Sequence, residues 1–208
     1  PTVFTADIEF AGQVVKLNVT DPVITAGVSI KKTGYAQTMN NNIMRWTVSG
    51  VRNDSTTSLQ SFYWRDTLPT DAVRLTRLVT GTYSTTQTYK VTFTTNLNSQ
   101  WRTAYDNLST AKNYTLDMSS AALGLASNEY VTQFMLSFGI VPAGFHQLTN
   151  ATVDAQTLYA LTNGYKFTNK ADVGGLLGGN WVQSIARWTT SIYSHYVPAK
   201  PAAPKSPT

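Results

Sequence analysis

Residues 43–69 read IMRWTVSGVRNDSTTSLQSFYWRDTLP. In the first part, Met44, Trp46 and Val48 alternate with Arg45, Thr47 and Ser49. Side chains on a strand point to opposite faces in turn, so this run has one apolar and one polar face. The cluster RNDSTTS at 52–58 is a turn signal, and an aromatic-rich run follows it. There Phe62, Trp64 and Leu68 share a parity with Asp66. A strand that buries Phe62 and Trp64 therefore aims the Asp66 carboxylate into the core as well.

The same period of two extends in both directions. Val15, Leu17 and Val19 share a face in QVVKLNVTD, and Val28, Ile30 and Lys32 share one in VSIKKTG. Tyr89, Val91 and Phe93 stand opposite Lys90, Thr92 and Thr94. EYVTQFMLSFG (129–139), YKFTNKADVGG (165–175) and WTTSIYSHYV (188–197) read as further strands, and NLNS (96–99) as a turn. Many alternating segments separated by turn residues predict an all-β chain folded as an antiparallel β-sandwich. One short helix is read over SQWRTAYDNLST (99–110), where Trp101, Tyr105 and Leu108 fall at helical spacing; the alternative is a long inter-strand connection.

At 208 residues the chain suits one domain with a sizeable core. Only 13% of residues are charged, about half the usual share. Thr, Ser and Asn take their place, as on the solvent sides of strands and in turns. The net charge of +5 is scattered singly apart from Lys31–Lys32, which argues against a nucleic-acid partner. There are no cysteines, so disulfides and thiolate metal sites are excluded. No run reaches the ~20 apolar residues of a membrane-spanning helix, so no membrane insertion is expected. The start of the chain reads as that of a mature or excised fragment. Three segments are expected: N-terminal strands over 1–25, in the same sandwich or as an arm to a neighbour; a sandwich over 26–196; and a Pro-rich linker or tail over 197–208.

Motifs of conventional catalysis are missing. His146 and His195 are isolated, and there is no G-x-S-x-G, H-E-x-x-H or phosphate-loop pattern. GGLLGG at 174–179 reads as a flexible connection or a bulge. No cofactor or metal is expected, and no enzyme beyond a single-turnover reaction within the chain itself. A sugar hydrolase would need two carboxylates about a cleft, and the acids are sparse.

Four motifs occur in order: Val28–Thr33 (VSIKKT), Trp46–Asn53 (WTVSGVRN), Asp66–Pro69 (DTLP) and Asn169–Val173 (NKADV). Together they resemble the DUF11-type repeat domains of bacterial surface proteins, over about residues 26–175. The segment from about Leu97 to Leu123 is an insertion relative to that pattern. The resemblance implies an immunoglobulin-like sandwich in an extracellular, Gram-positive surface protein, related to the isopeptide-bonded domains of pilins and adhesins.

Parity places three functional groups on inward faces at those motif positions. Lys32 follows Val28 and Ile30, Asp66 follows Phe62 and Trp64, and Asn169 lies between Phe167 and Ala171. Apolar burial favours the neutral amine of a lysine, which is a nucleophile. A protonated carboxyl beside it can shuttle protons and hydrogen-bond the amide oxygen of Asn169, polarising its carbonyl carbon. The expected product is a Lys32–Asn169 isopeptide bond formed with Asp66 as acid. Glu129 is the rival acid, because its parity partners Val131 and Met135 are apolar; Lys31 is the rival amine.

Two functions are carried forward. The first is a structural surface module, a stalk, pilus or fibre subunit that associates with itself or with neighbouring domains. The second is an adhesin that binds a host protein or glycan through exposed aromatics, with Tyr63, Tyr83, Trp101, Tyr105, Trp181 and Trp188 as candidates.

Overall fold

A computed structural model describes residues 3–5, 15–18, 23–36, 43–158 and 161–192. The 197–208 tail, Val19 and His195 lie outside the described residues. Sixteen strands are seen among the described residues. The first half of the chain gives β1 (Val3–Thr5), β2 (Val15–Asn18), β3 (Val23–Ala26), β4 (Val28–Ala36), β5 (Ile43–Asn53), β6 (Leu59–Thr67), β7 (Val73–Val79) and β8 (Thr82–Tyr83). The second half gives β9 (Thr88–Thr95), β10 (Arg102–Ser109), β11 (Thr115–Asp117), β12 (Val131–Val141), β13 (Gln147–Thr149), β14 (Ala151–Thr157), β15 (Lys166–Leu177) and β16 (Asn180–Ser191).

Two sheets carry the body. One has the order β10-β9-β12-β6-β15-β16, the other β11-β7-β14-β5-β4. All pairings are antiparallel, and the result is an immunoglobulin-like sandwich. β1, β2 and β3 form a three-stranded sheet of their own. It joins the body where the Thr56 and Asp54 amides donate to the carbonyls of Thr25 and Gly27.

The alternation read from the sequence fills the space between the sheets. Ile30, Trp46, Val48, Phe62, Trp64, Phe134 and Leu136 are all buried. Each such side chain contributes roughly 1.5–3 kcal/mol by leaving water. Phe62, Tyr83, Tyr89, Phe138 and Phe145 close one end as a set of mostly edge-on and tilted rings.

Two local expectations are corrected. The segment 99–110 is not a helix, and no helix occurs among the described residues; it contains β10. The pairing of β10 with β9 shifts register twice, and Asn107 adopts φ 53°. A bulge inserts an extra residue between Tyr105 and Leu108, so these two core-contacting residues fall three apart, imitating a helix, while Trp101 lies before β10 and is exposed. The last strand begins at Asn180, not Trp188, because GGLLGG is a built feature. A Cβ on Gly174 or Gly175 would lie 2.8 Å from Tyr63 or 2.9 Å from Leu59. Gly178 and Gly179, both at positive φ, form the two-residue turn between Leu177 and Asn180. Gly50 (φ 63°) bulges β5 against β4, so Val48 and Val51 both face the core despite opposite parity.

Candidate functional site

β4 forms one edge of the five-stranded sheet, while β6 and β15 are neighbours in the opposite sheet. Lys32 on β4 is directly opposite Val48, and Asp66 on β6 is directly opposite Ala171 on β15. All of these face inward, so the Lys32 side chain crosses the sandwich to reach the other sheet. Its Nζ donates to Asp66 Oδ2 at 2.6 Å, and both side chains are 0% exposed. Asn169, also fully buried, donates from Nδ2 to Asp66 Oδ1 at 2.7 Å and to the Thr67 carbonyl at 3.1 Å. One carboxylate thus holds the amine on one oxygen and the amide on the other.

The surroundings are apolar. The Lys32 ammonium stands 5.8 Å from the centre of the Trp46 ring, and Phe167 meets that ring edge-on. Burial lowers the pKa of the Lys32 amine, against the opposing attraction and hydrogen bond of Asp66. Asn169 Oδ1 is buried and accepts no hydrogen bond, so the expected bond from the Asp66 carboxyl to this oxygen is not formed and Asp66 meets the amide nitrogen instead. An orphaned buried carbonyl is costly in a resting structure and is the atom on which charge would gather during attack at the amide carbon.

Gly34, two residues beyond Lys32, explains how the indole wall fits. A Cβ there would lie 2.5 Å from Trp46 and 3.0 Å from Trp188. The bare backbone lets both indoles close over the edge of β4 beside the cluster.

The two rival groups lie elsewhere. Glu129 accepts from Thr95 Oγ1 at 2.6 Å and from Arg102 Nη2 at 2.7 Å. Its parity argument fails because β12 shifts register between Val131 and Gln133, so Val131 is buried while Met135 faces outward. Lys31 is exposed, and its side chain runs over Gly50.

Two further buried carboxylates escaped the sequence reading. Asp154 accepts from both Arg45 and Arg77, which flank it on β5 and β7. Asp172 accepts from Arg65, directly opposite it, and from the Tyr63 hydroxyl at 2.9 Å. Both lie on outward-facing positions, and only the strand register brings their partners alongside. Burial and the nearby Asp172 push the Tyr63 hydroxyl up to about 12. Among the aromatic candidates Tyr83 and Tyr63 are buried, Tyr105 is half-buried, and Trp101, Trp181 and Trp188 are exposed.

No protein-family model and no curated protein matches the chain. Among solved structures, a serine-rich repeat protein, Srr2, of Streptococcus agalactiae aligns at 13% identity and a TM-score of 0.38, over 93% of this chain and 58% of that one. The collagen-binding domain of a Staphylococcus aureus adhesin aligns at 11% identity and a TM-score of 0.34, over 78% of this chain and 97% of that one. A pore-forming protein aligns at 4% identity and a TM-score of 0.27. Similarity at this level assigns neither family nor ligand.

Proposed function

We propose that the chain is a structural module of an extracellular surface protein whose two sheets are stapled by an isopeptide bond between Lys32 and Asn169. The observation that carries this reading is the single buried carboxylate of Asp66, shared by an amine and an amide.

The chemistry follows from that arrangement. Lys32 passes a proton to Asp66 Oδ2, which converts a buried ion pair into a neutral amine and acid. The amine lone pair attacks Cγ of Asn169, and the C=O electrons move onto Oδ1. Collapse forms the Nζ–Cγ bond and breaks the Cγ–Nδ2 bond. Asp66, already in contact with Nδ2, supplies the proton that lets the nitrogen leave as ammonia. Lys32 loses two protons in all: one departs with the ammonia, and the other is left on the Asp66 carboxyl for exchange with solvent. No redox change and no outside reagent is needed.

Such a bond suits a load-bearing module outside the cell. It joins β4, early in the body, to β15, near its end. Tension entering before Lys32 and leaving after Asn169 then passes through covalent bonds and bypasses the intervening strands. The bond also gives a cysteine-free chain a cross-link that needs no oxidant. Self-association, or contact with neighbouring domains of the same surface protein, belongs to this reading.

The test is a peptide map of the denatured protein. A single branched peptide containing both Lys32 and Asn169 is expected, and it should vanish in Asp66→Asn and in Asn169→Ala. Separate, unmodified Lys32 and Asn169 peptides in the wild type would overturn the proposal.

A further inference from the structure

The outer face of the six-stranded sheet carries a groove of about 750 Å³, away from the Lys32 cluster. Its floor is formed by β9, β12 and β6, with Ser61, Tyr63, Met135 and Ser137 facing outward. Trp181 and Gln183 of β16 form one wall, and Asp106 and Asn107 of β10 the other.

Several features mark it as built. Trp181 is 51% exposed. It meets Tyr63 at 5.8 Å with the two ring planes at 74°. Tyr63 is fixed beneath it: its hydroxyl donates to Asp172, accepts from Gln183 at 2.8 Å, and lies where Gly174 has no side chain. The only described non-glycine residues at positive φ are Ser61 (50°) and Asn107 (53°), and both line this groove. Left-handed backbone is disfavoured for residues other than glycine and concentrates at functional sites.

We infer that this groove binds a neutral oligosaccharide. The charge pattern excludes a strongly ionic ligand. Arg65 is committed to Asp172, and Lys90 and Asp106 contribute one charge of each sign. The floor strands are interior to the sheet, with both edges already paired. An extended peptide therefore finds no free backbone ladder to join. What the groove offers is a half-exposed indole, a fixed amide and phenol, and small hydroxyl and amide side chains. A pyranose ring presents the complement, an apolar C–H face and a rim of hydroxyls, in the pattern of few polar groups on an apolar surface typical of small-ligand sites.

The inference rests on the reading of the module as displayed outside the cell, but not on the staple. The test is retention of the labelled full chain on a printed array carrying neutral and acidic glycans. Neutral glycans are expected to retain the wild type and Trp101→Ala, an exposed indole outside the groove, while Trp181→Ala loses at least tenfold in binding, about 1.4 kcal/mol. Trp181 is exposed, so this variant should keep the fold, and its Lys32–Asn169 peptide should persist if the staple forms. Retention by acidic glycans alone, retention of Trp181→Ala equal to wild type, or no retention at all would overturn the inference. None of these outcomes bears on the staple.

Discussion

Lys32 and Gly34 set the energetics at the residue scale. Burial holds the Lys32 amine below its unfolded value of 10.5. Between the folded value and 10.5 the unfolded chain therefore binds more protons, and stability rises with pH across that window. Asn169→Ala, which has no amide to attack, exposes this behaviour. Its urea midpoint should rise from neutral pH toward pH 10.5 relative to the double variant Lys32→Met/Asn169→Ala, and a falling difference would contradict the burial. Gly34→Ala tests the indole wall. A methyl group forced against Trp46 and Trp188 should cost about 1–3 kcal/mol in chemical denaturation. An unchanged midpoint would mean that the two indoles move aside freely. The inward aim of Lys32, Asp66 and Asn169 was legible from parity alone, because each lies in an uninterrupted alternating run next to its apolar neighbours. Glu129 misled because a bulge separates it from Met135, and bulges leave no mark in a two-residue period.

Among the elements, the sheets were legible wherever alternation was clean and illegible where it was broken. β5, β6, β9 and β15 follow from their apolar positions. β10 does not, because a bulge sets Tyr105 and Leu108 three apart, as on a helix, on an edge strand. The β15–β16 hairpin was missed for another reason. GGLLGG combines two unrelated glycine uses, close approach of Tyr63 and Leu59 at the first pair and a left-handed turn at the second. Gly179→Val should cost about 1–2 kcal/mol, since a branched residue resists φ +79°. The check is a thermal melt of the variant; a Tm equal to wild type would show that the turn relaxes. The Asp154 and Asp172 clusters also belong at this scale, since each depends on which strands are neighbours and in what register. A single sequence gives the faces of strands but not their order.

Considered as a whole molecule, the sandwich places a nucleophile on one sheet and its target on the other, so the proposed bond closes most of the body into one covalent ring. The mechanical consequence is direct. The segment between Lys32 and Asn169 would extend roughly 450 Å if unravelled, at about 3.3 Å per residue. Pulling the wild type by its ends should release none of that length, whereas Asn169→Ala should release nearly all of it in a force–extension trace. Intact mass under denaturing conditions tests the central claim most directly. The stapled chain should weigh about 17 Da less than its sequence, one ammonia, with the full mass restored in Asp66→Asn. A wild-type mass equal to that of the sequence would contradict the staple and leave Lys32, Asp66 and Asn169 as a buried hydrogen-bonded cluster that does no chemistry.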